Sequence, residues 1–338
     1  MSPGWQLRSS GSGLGYLSSV VALGPGNVWA AGASTPAGKP PAALVMRWDG
    51  ARWSKVAITQ PAVFGPATVA ASAATNVWVF STLGQSDILR WDGVRWHRVP
   101  VPSGYNSGES SPVVLSPSNV WMYGVTFNPP HVTGCLTTIW HWNGRGWASH
   151  PVTGFCATSM SASSWRNVWL AGTQGLPSPT SPRKIEAFRW IRQSWRPASM
   201  PHPYEYASGY TLPEVVAASA SSIWIGDDQR NSSFSQQMGP GFALHWNGLS
   251  WTQTPSSVLA TNQGITRDGH GGLWMGPDGH WTARAWDDTT PGPAFGSAQS
   301  YAFAALANVP GSSTIWGVGS ISRSGGMGPM IASYGPIP

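Results

Sequence analysis

Four copies of the string Asn-Val-Trp, at Asn27, Asn76, Asn119 and Asn167, constrain this chain more than any other feature. Looser copies continue the series as Ser-Ile-Trp from Ser222, Gly-Leu-Trp from Gly272 and Thr-Ile-Trp from Thr314. The seven tryptophans, Trp29, Trp78, Trp121, Trp169, Trp224, Trp274 and Trp316, follow at spacings of 49, 43, 48, 55, 50 and 42 residues. A period of this length is that of a four-stranded propeller blade. A second string alternates with the first. Trp48/Trp53, Trp91/Trp96, Trp142/Trp147, Trp190/Trp195, Trp246/Trp251 and Trp281/Trp286 are each five residues apart, around Asp-Gly or Asn-Gly in copies such as RWDGARW and HWNGRGW. The sixth pair, in HWTARAW, lacks that dipeptide.

Each unit reads as four strands. Strand a is short and rich in small residues, as in SSVVAL, and a tight turn leads to strand b, VWAAG. A variable loop leads to strand c, ALVMRW, and an Asp-Gly turn to strand d, RWSKV. Asp-Gly and Asn-Gly suit hairpin turns because both residues tolerate positive φ. Apolar and polar residues alternate with period two along the strands. The seventh unit runs out after MIASYG, without a strand d, but the other end of the chain offers GWQLRSS, with Trp5. Strand 4–10 is therefore expected to complete the last blade and close the ring, which removes exposed sheet edges. A stacked solenoid would need capping repeats instead. The expected fold class is all-β: one seven-bladed β-propeller domain over 1–338, of four-stranded antiparallel blades near 17–58, 66–101, 111–152, 156–199, 212–256, 263–290 and 300–338.

Composition agrees. Charged residues are 9% of the chain, against roughly 25% in an average globular protein. Hydrophobic residues are 41%, which excludes charge-rich disorder, and 41 Gly and 30 Pro supply turns. Of 22 Trp, only Trp140 and Trp165 fall outside the two repeat series. A large aromatic kept in every blade, whatever its loops, reads as packing between blades, each burying roughly 150–250 Å2, in preference to a repeated ligand platform.

The NVWxxG and WDGxxW repeats with N-terminal closure resemble the secreted propellers of soil bacteria such as actinomycetes, grouped loosely with kelch and galactose-oxidase central-domain propellers. The resemblance spans Trp5 to Tyr334. It departs in two ways. Kelch blades carry Gly-Gly after strand b, where this chain has single glycines, as in VWAAG and VWMYG. No Cys–Tyr and His set matches the galactose-oxidase copper site, so no copper and no other cofactor is expected.

The net charge of +6 comes from 19 basic and 13 acidic residues, scattered along the chain. Nucleic-acid binding would want a clustered basic stripe, so nucleic acid is not an expected partner, whereas mild attraction to anionic cell-surface polymers is. No apolar run of about 18 residues occurs, so no transmembrane helix is expected. No signal peptide is visible in residues 1–20. A Lys-poor surface rich in Trp, Ser, Thr and Gly favours a secreted protein. Cys135 and Cys156 fall at the ends of neighbouring connections in blades three and four, and are expected to form a disulfide, implying an oxidising compartment.

In such a blade the a–b and c–d turns lie at one end of the sheet and the b–c and d–a loops at the other. The first set is short and repetitive. The second varies, from STPAGKPP to TQGLPSPTSPRK and DDQRNSSFSQQMGPG. Dissimilar loops on a rigid scaffold are where binding usually resides. Candidate ligand-binding residues there are Tyr105 and Glu109 entering blade three, and His202, Tyr204, Glu205, Tyr206 and Tyr210 entering blade five. Glu214 closes that same d–a loop, and Asp227, Asp228 and Arg230 follow in the b–c loop of blade five. Tyrosines with carboxylates and an arginine suit sugar hydroxyls and sugar faces. His141 and His245 share a repeat position with Arg47, Arg90 and Arg189, and read as structural. Asp268 and His270 fall in the a–b turn of blade six, and Asp278 and His280 in its short b–c turn. No metal-ligand spacing and no hydrolase, P-loop or dinucleotide motif occurs. Asn231 opens a glycosylation sequon.

Three functions stay open. The first is a secreted, lectin-like or adhesive module recognising a glycan or cell-surface polysaccharide. The second is a polysaccharide-active enzyme. Glu205, Glu214, Asp227 or Asp228 would be its acid/base pair, or His202 and Tyr206 would abstract a proton in a lyase. The third is a protein-interaction scaffold. No catalytic signature is present, and the chain is read as a binding protein first.

Overall fold

In an extended strand, residues i and i+2 lie on one face. The asparagine of each Asn-Val-Trp string therefore sits beside its own tryptophan. In the computed structural model its Oδ1 accepts the indole N–H, at 2.8 Å from Trp29 to Asn27, 3.0 Å from Trp78 to Asn76, and 2.8 Å for Trp121–Asn119 and Trp169–Asn167. A buried indole needs such an acceptor, which is why the string pairs these two residue types.

The structure describes residues 4–11, 13–35, 38–58, 67–81, 87–105, 111–129, 131, 134–175, 184–200, 213–230, 237–255, 264–287, 295–296, 300–324 and 326–337, with backbone alone at 227–230, 237–242 and 254–255. These form strands and turns, without a helix. The first strand is β1 (Trp5–Ser10). Blade one is β2 (Gly15–Gly24), β3 (Asn27–Ser34), β4 (Ala42–Trp48) and β5 (Trp53–Lys55). Blade two is β6 (Ala67–Ala73), β7 (Asn76–Ser81), β8 (Ile88–Trp91) and β9 (Trp96–Val99). Blade three is β10 (Val113–Ser116), β11 (Asn119–Phe127), β12 (Cys135–Trp142) and β13 (Trp147–Thr153). Blade four is β14 (Phe155–Ser164), β15 (Asn167–Gln174), β16 (Lys184–Ile191) and β17 (Ser194–Pro197). Blade five is β18 (Glu214–Ser219), β19 (Ser222–Arg230), β20 (Gln237–Trp246) and β21 (Trp251–Pro255). Blade six is β22 (Ile265–Arg267), β23 (Leu273–Met275), β24 (Gly279–Trp281) and β25 (Trp286–Asp287). Blade seven is β26 (Ser300–Asn308), β27 (Ile315–Arg323), β28 (Gly326–Tyr334) and β1. All seven sheets are antiparallel and run in the order a-b-c-d, the last as β26-β27-β28-β1. The fold is a seven-bladed β-propeller, and the N-terminal strand completes its last blade as the repeat predicts. The chain forms two compact units. One holds Met1–Ser107 and Gln263–Pro338, with blades six, seven, one and two; the other holds Gly108–Asn262, with blades three to five.

Within each unit the tryptophans lock neighbouring blades. The strand-b indole of one blade meets the c–d tryptophan pair of the next. Trp29 lies 6.5 Å from Trp91 and 6.4 Å from Trp96; Trp316 lies 5.2 Å from both Trp48 and Trp53. In the second unit Trp121 lies 5.0 Å from Trp190 and Trp169 5.9 Å from Trp251. The pairs are direct cross-strand neighbours, Trp48 opposite Trp53 and likewise through Trp281 opposite Trp286. The Asp-Gly and Asn-Gly turns between them are alike. The oxygen of Asp49, Asp92, Asn143 or Asn247 accepts two backbone N–H groups, and the following glycine takes φ between 94° and 101°. In HWTARAW, Ala283 adopts φ 67° and Thr282 stands in for the acid, its backbone N–H donating to Ala285 O at 3.0 Å. The packing role expected of the tryptophans is what these contacts show.

The residue ahead of the first paired tryptophan stacks on the strand-b indole opposite. His141 lies 3.9 Å from Trp121, His245 4.0 Å from Trp224 and His280 4.4 Å from Trp274, all nearly parallel; Arg47 and Arg189 cover Trp29 and Trp169 in the same way. His280 is thus a strand residue of the frame, in β24, and not a turn residue as its spacing suggests. Burial, then the neighbouring His150, holds the His141 imidazole down to about 4, and burial lowers His150 and His245 too. The sign follows. Between the ordinary histidine value near 6.5 and pH 4 the unfolded chain takes up protons that the folded chain refuses. Stability is therefore expected to fall as pH drops through that window, and because His141 is only half-buried, solvent screening limits its share to about 1–2 kcal/mol. Urea midpoints at pH 7.5 and 4.5 test this, with His141→Gln expected to remove part of the difference.

A third device was not legible in the repeat. In blades one, four and seven strand a bulges in mid-strand, between Leu17 and Ser19, Ala157 and Ser159, and Phe303 and Ala305. Opposite each bulge stands the glycine of NVWxxG or its equivalent: Gly32, Gly172 and Gly319. A Cβ there would lie 2.1 Å from Tyr16 O, 2.2 Å from Cys156 O and 1.9 Å from Ala302 O. The hydroxyls around the bulge tie one blade to the next. Ser18 Oγ donates to Ala67 O and Ser19 Oγ accepts from Val69 N. In the second unit Thr158 Oγ1 donates to Pro213 O, and Ser159 Oγ accepts from Val215 N. Strand a is small because the inner strands approach closely, and it carries Ser and Thr because these hydroxyls satisfy the neighbour's backbone.

Candidate functional site

Strand order puts the a–b and c–d turns at one end of each sheet, the turn end, and the b–c and d–a connections at the other, the loop end. The candidate ligand residues belong to the loop end. Glu109, His202, Tyr204, Glu205, Tyr206 and Tyr210 lie outside the described residues, as does Asn231. Tyr105 is buried, at 9% exposure, and its backbone N–H donates to Pro102 O at 3.2 Å. It offers little surface to a ligand.

Asp227, Asp228 and Arg230 are not in a loop. β19 and β20 keep pairing from Asp227↔Phe242 to Arg230↔Gln237, with register shifts on the way. Blade seven behaves alike, where SISRSGGMGP forms hairpin arms joined at Arg323↔Gly326. The physical reason is common to both. A ladder satisfies backbone N–H and C=O whatever the side chains, so polar composition alone does not end a strand. The two aspartates and the arginine thus lie on a paired extension of the sheet, with Glu214 at the start of the adjacent strand β18 and not in the d–a loop.

Cys135 and Cys156 form the expected disulfide, with Cα atoms 5.2 Å apart. Beside it Thr137, fully buried, donates to Phe155 O at 2.6 Å and accepts from Ala157 N at 3.0 Å. Only Gly154, at φ 77°, separates β13 from β14. The loop end between blades three and four is therefore stapled covalently and by hydrogen bonds. Next to it Glu186 is pushed up by burial, partly offset by the Lys184 ammonium 4.0 Å away. This pair carries perturbed charge at the loop end of blade four, and strand-c periodicity alone did not single it out.

In the first unit the loop end of blades seven and one encloses a cleft of about 260 Å3. Leu14, Leu17, Leu44, Met46 and Ile331 form its walls, with Ser9 and Ser34 at the rim. Gly11 N donates to Pro329 O and Thr35 N to Leu14 O, which fixes the connecting loop over it. Leu14 remains 43% exposed. Among the described residues no ionisable side chain lines the cleft, so its walls suit an apolar group with one or two hydrogen bonds. At the loop end of blade seven the Tyr301 phenol is pushed up by burial and by the Asp278 carboxylate, so it stays neutral and able to donate a hydrogen bond. In the blade-six turn Asp268 is buried and accepts from His270 N and Gly272 N at 2.7 Å and from His280 Nε2 at 3.2 Å. These contacts hold the turn. Among the described residues no group of three or more His, Cys, Asp or Glu is placed to bind a metal.

No protein-family profile and no curated protein matches the chain. Solved structures do. YCF48 from Cyanidioschyzon merolae matches at a TM-score of 0.55 and 14% identity, over 98% of this chain and 99% of that one. A structure described as YCF48 bound to D1 peptide matches at 0.57 and 12%, over 98% and 97%. The fucose-specific lectin from Aleuria aurantia matches at 0.50 and 13%, over 94% and 95%. At these identities the likeness is one of fold.

Proposed function

We propose that the chain is an extracellular recognition module, lectin-like, which binds a glycan or cell-surface polysaccharide at the loop ends of its blades without cleaving it. The carrying observation is the contrast between the ends of the sheets. Repeat tryptophans and Asx-Gly turns are consumed in packing, while the loop ends hold the length variation, the strand-borne Asp227, Asp228 and Arg230, and the covalent staple at Cys135–Cys156. A disulfide supports an oxidising location, and among the described residues no helix is long and apolar enough to cross a membrane. A propeller of similar fold is a fucose-specific lectin. The kelch and galactose-oxidase likeness rests on the repeat strings alone and adds no ligand.

A glycan array run beside a polysaccharide-cleavage screen tests the reading. Binding without turnover is expected, weakened at least tenfold by Asp227→Ala or Glu205→Ala. Turnover abolished by Glu205→Ala or Asp227→Ala would make the protein an enzyme and overturn the proposal. The apolar cleft of the first unit favours a second reading, a protein-interaction scaffold. One solved propeller of similar fold is described with a bound peptide. Silence on the array, with a partner whose capture Leu14→Asp abolishes, would establish that reading instead.

A further inference from the structure

Blade four breaks the repeat twice at its turn end, and both breaks fall at one place. Elsewhere the c–d turn closes onto the a–b turn. A Cβ on Gly93 would lie 2.7 Å from Thr75, on Gly144 2.8 Å from Ser118, and on Gly248 3.0 Å from Ser221. Blade four has no such glycine. Its c–d connection is a two-residue hairpin, Ile191 pairing with Ser194, with Arg192 and Gln193 at φ 49° and 64°. Its a–b turn is Trp165-Arg166, where blades one to three have Pro-Gly, Ala-Thr and Pro-Ser. Trp165 is one of the two tryptophans outside the repeat, and the other, Trp140, is buried. Trp165 is 57% exposed and Ile191 41%.

The turns thus part around a depression of about 450 Å3, lined by Trp165, Arg166, Arg189, Ile191, Arg192 and Gln193. Among the described residues three guanidinium groups line it and no carboxylate does. Arg166 Cζ lies 4.4 Å over the Trp165 ring, and Arg189 is pinned against Trp169. A guanidinium stacked on an indole keeps its in-plane N–H donors for a planar anion, and its orientation is set in advance. An exposed indole beside an aliphatic side chain offers apolar area for the carbon face of a pyranose ring. Exposed apolar surface of this kind marks interaction sites.

We propose that this depression is a second recognition site, for an acidic polysaccharide whose sugar rings pack on Trp165 and Ile191 and whose carboxylate or sulfate groups bind Arg166 and Arg192. The net charge of +6 draws such a polymer to the protein, and the stacked pair gives the encounter a fixed geometry. The site is separate from the loop-end residues of the preceding reading and does not depend on it.

The test is titration of the full chain with polygalacturonate, dextran sulfate, neutral dextran and poly-glutamate at 50 and 300 mM salt. The acidic polysaccharides, either or both, should bind and neutral dextran should not. Trp165→Ala, Arg166→Gln and Arg192→Gln should each weaken binding at least tenfold, the Trp165→Ala loss persisting at both salt concentrations. Arg145→Gln, which removes an equal charge from an exposed turn of blade three, should change it less than threefold. Thermal unfolding of each variant checks that the fold is retained, as expected for exposed positions. Equal losses in Arg145→Gln and Arg192→Gln, with Trp165→Ala silent, would reduce the effect to unspecific charge and overturn the proposal. So would equal affinity for poly-glutamate, or no binding of either acidic polysaccharide.

Discussion

Trp5→Ala should lower the unfolding free energy by about 3–5 kcal/mol, the range for removing a buried tryptophan. Trp5 is 7% exposed and, although it is only the second described residue, it belongs to the core. Its ring lies 4.8 Å from Phe303, 5.8 Å from Tyr334 and 6.0 Å from Trp274, and its indole N–H donates to Pro277 O at 2.8 Å. The carbonyl would be left unpaired in the variant, adding to the cavity. β1 also protects β28, pairing from Trp5↔Tyr334 to Ser10↔Met330. A loosened β1 exposes that edge to other chains, so aggregation on heating should accompany the lost stability. Urea unfolding followed by tryptophan fluorescence measures the effect, with Trp165→Ala as a surface control expected within about 0.5 kcal/mol. A change under 1 kcal/mol for Trp5→Ala would mean that the N-terminal strand does not hold the last blade together.

Gly172→Ala should also destabilise, by about 2–4 kcal/mol, the size of a forced backbone clash. Intrinsic preference argues the other way, because alanine is ordinarily better than glycine inside a strand. The space decides. The new methyl would stand 2.2 Å from Cys156 O and 2.8 Å from both Ala157 Cα and the Phe155 ring. Two of these three are backbone, held by the bulge and by the disulfide at Cys156, so they have little room to move. Gly24→Ala is the control. No atom lies within 4 Å of its Cβ position, and it should be neutral or slightly stabilising. Equal midpoints for the two variants in urea would show that bulge and glycine are not coupled.

Legibility followed from repetition. A blade recurs, so its tryptophans, its Asx-Gly turns and the displaced strand at Trp5 are visible as periods along the chain. The disulfide was legible for a related reason, since blade position alone brings Cys135 and Cys156 to one end of adjacent sheets. The candidate site was read less well. The polar composition around Asp227, Asp228 and Arg230 reads as a loop, whereas pairing of β19 with β20 depends on backbone groups that every residue carries. The side chain of Tyr105 suits a sugar, but burial removes it from the surface.

By itself, then, the sequence determined the number of blades, the strands within them, the tryptophan frame and the closure of blade seven by β1, because each is written as a local pattern copied along the chain. Only the tertiary structure decided which atoms those copies press against. It put Gly32, Gly172 and Gly319 opposite bulges, aimed strand-a hydroxyls at the next blade's backbone, and opened blade four around Trp165 where two turns fail to meet. Such contacts join residues some 15 to 55 positions apart, and a one-dimensional period carries no record of the distance between them.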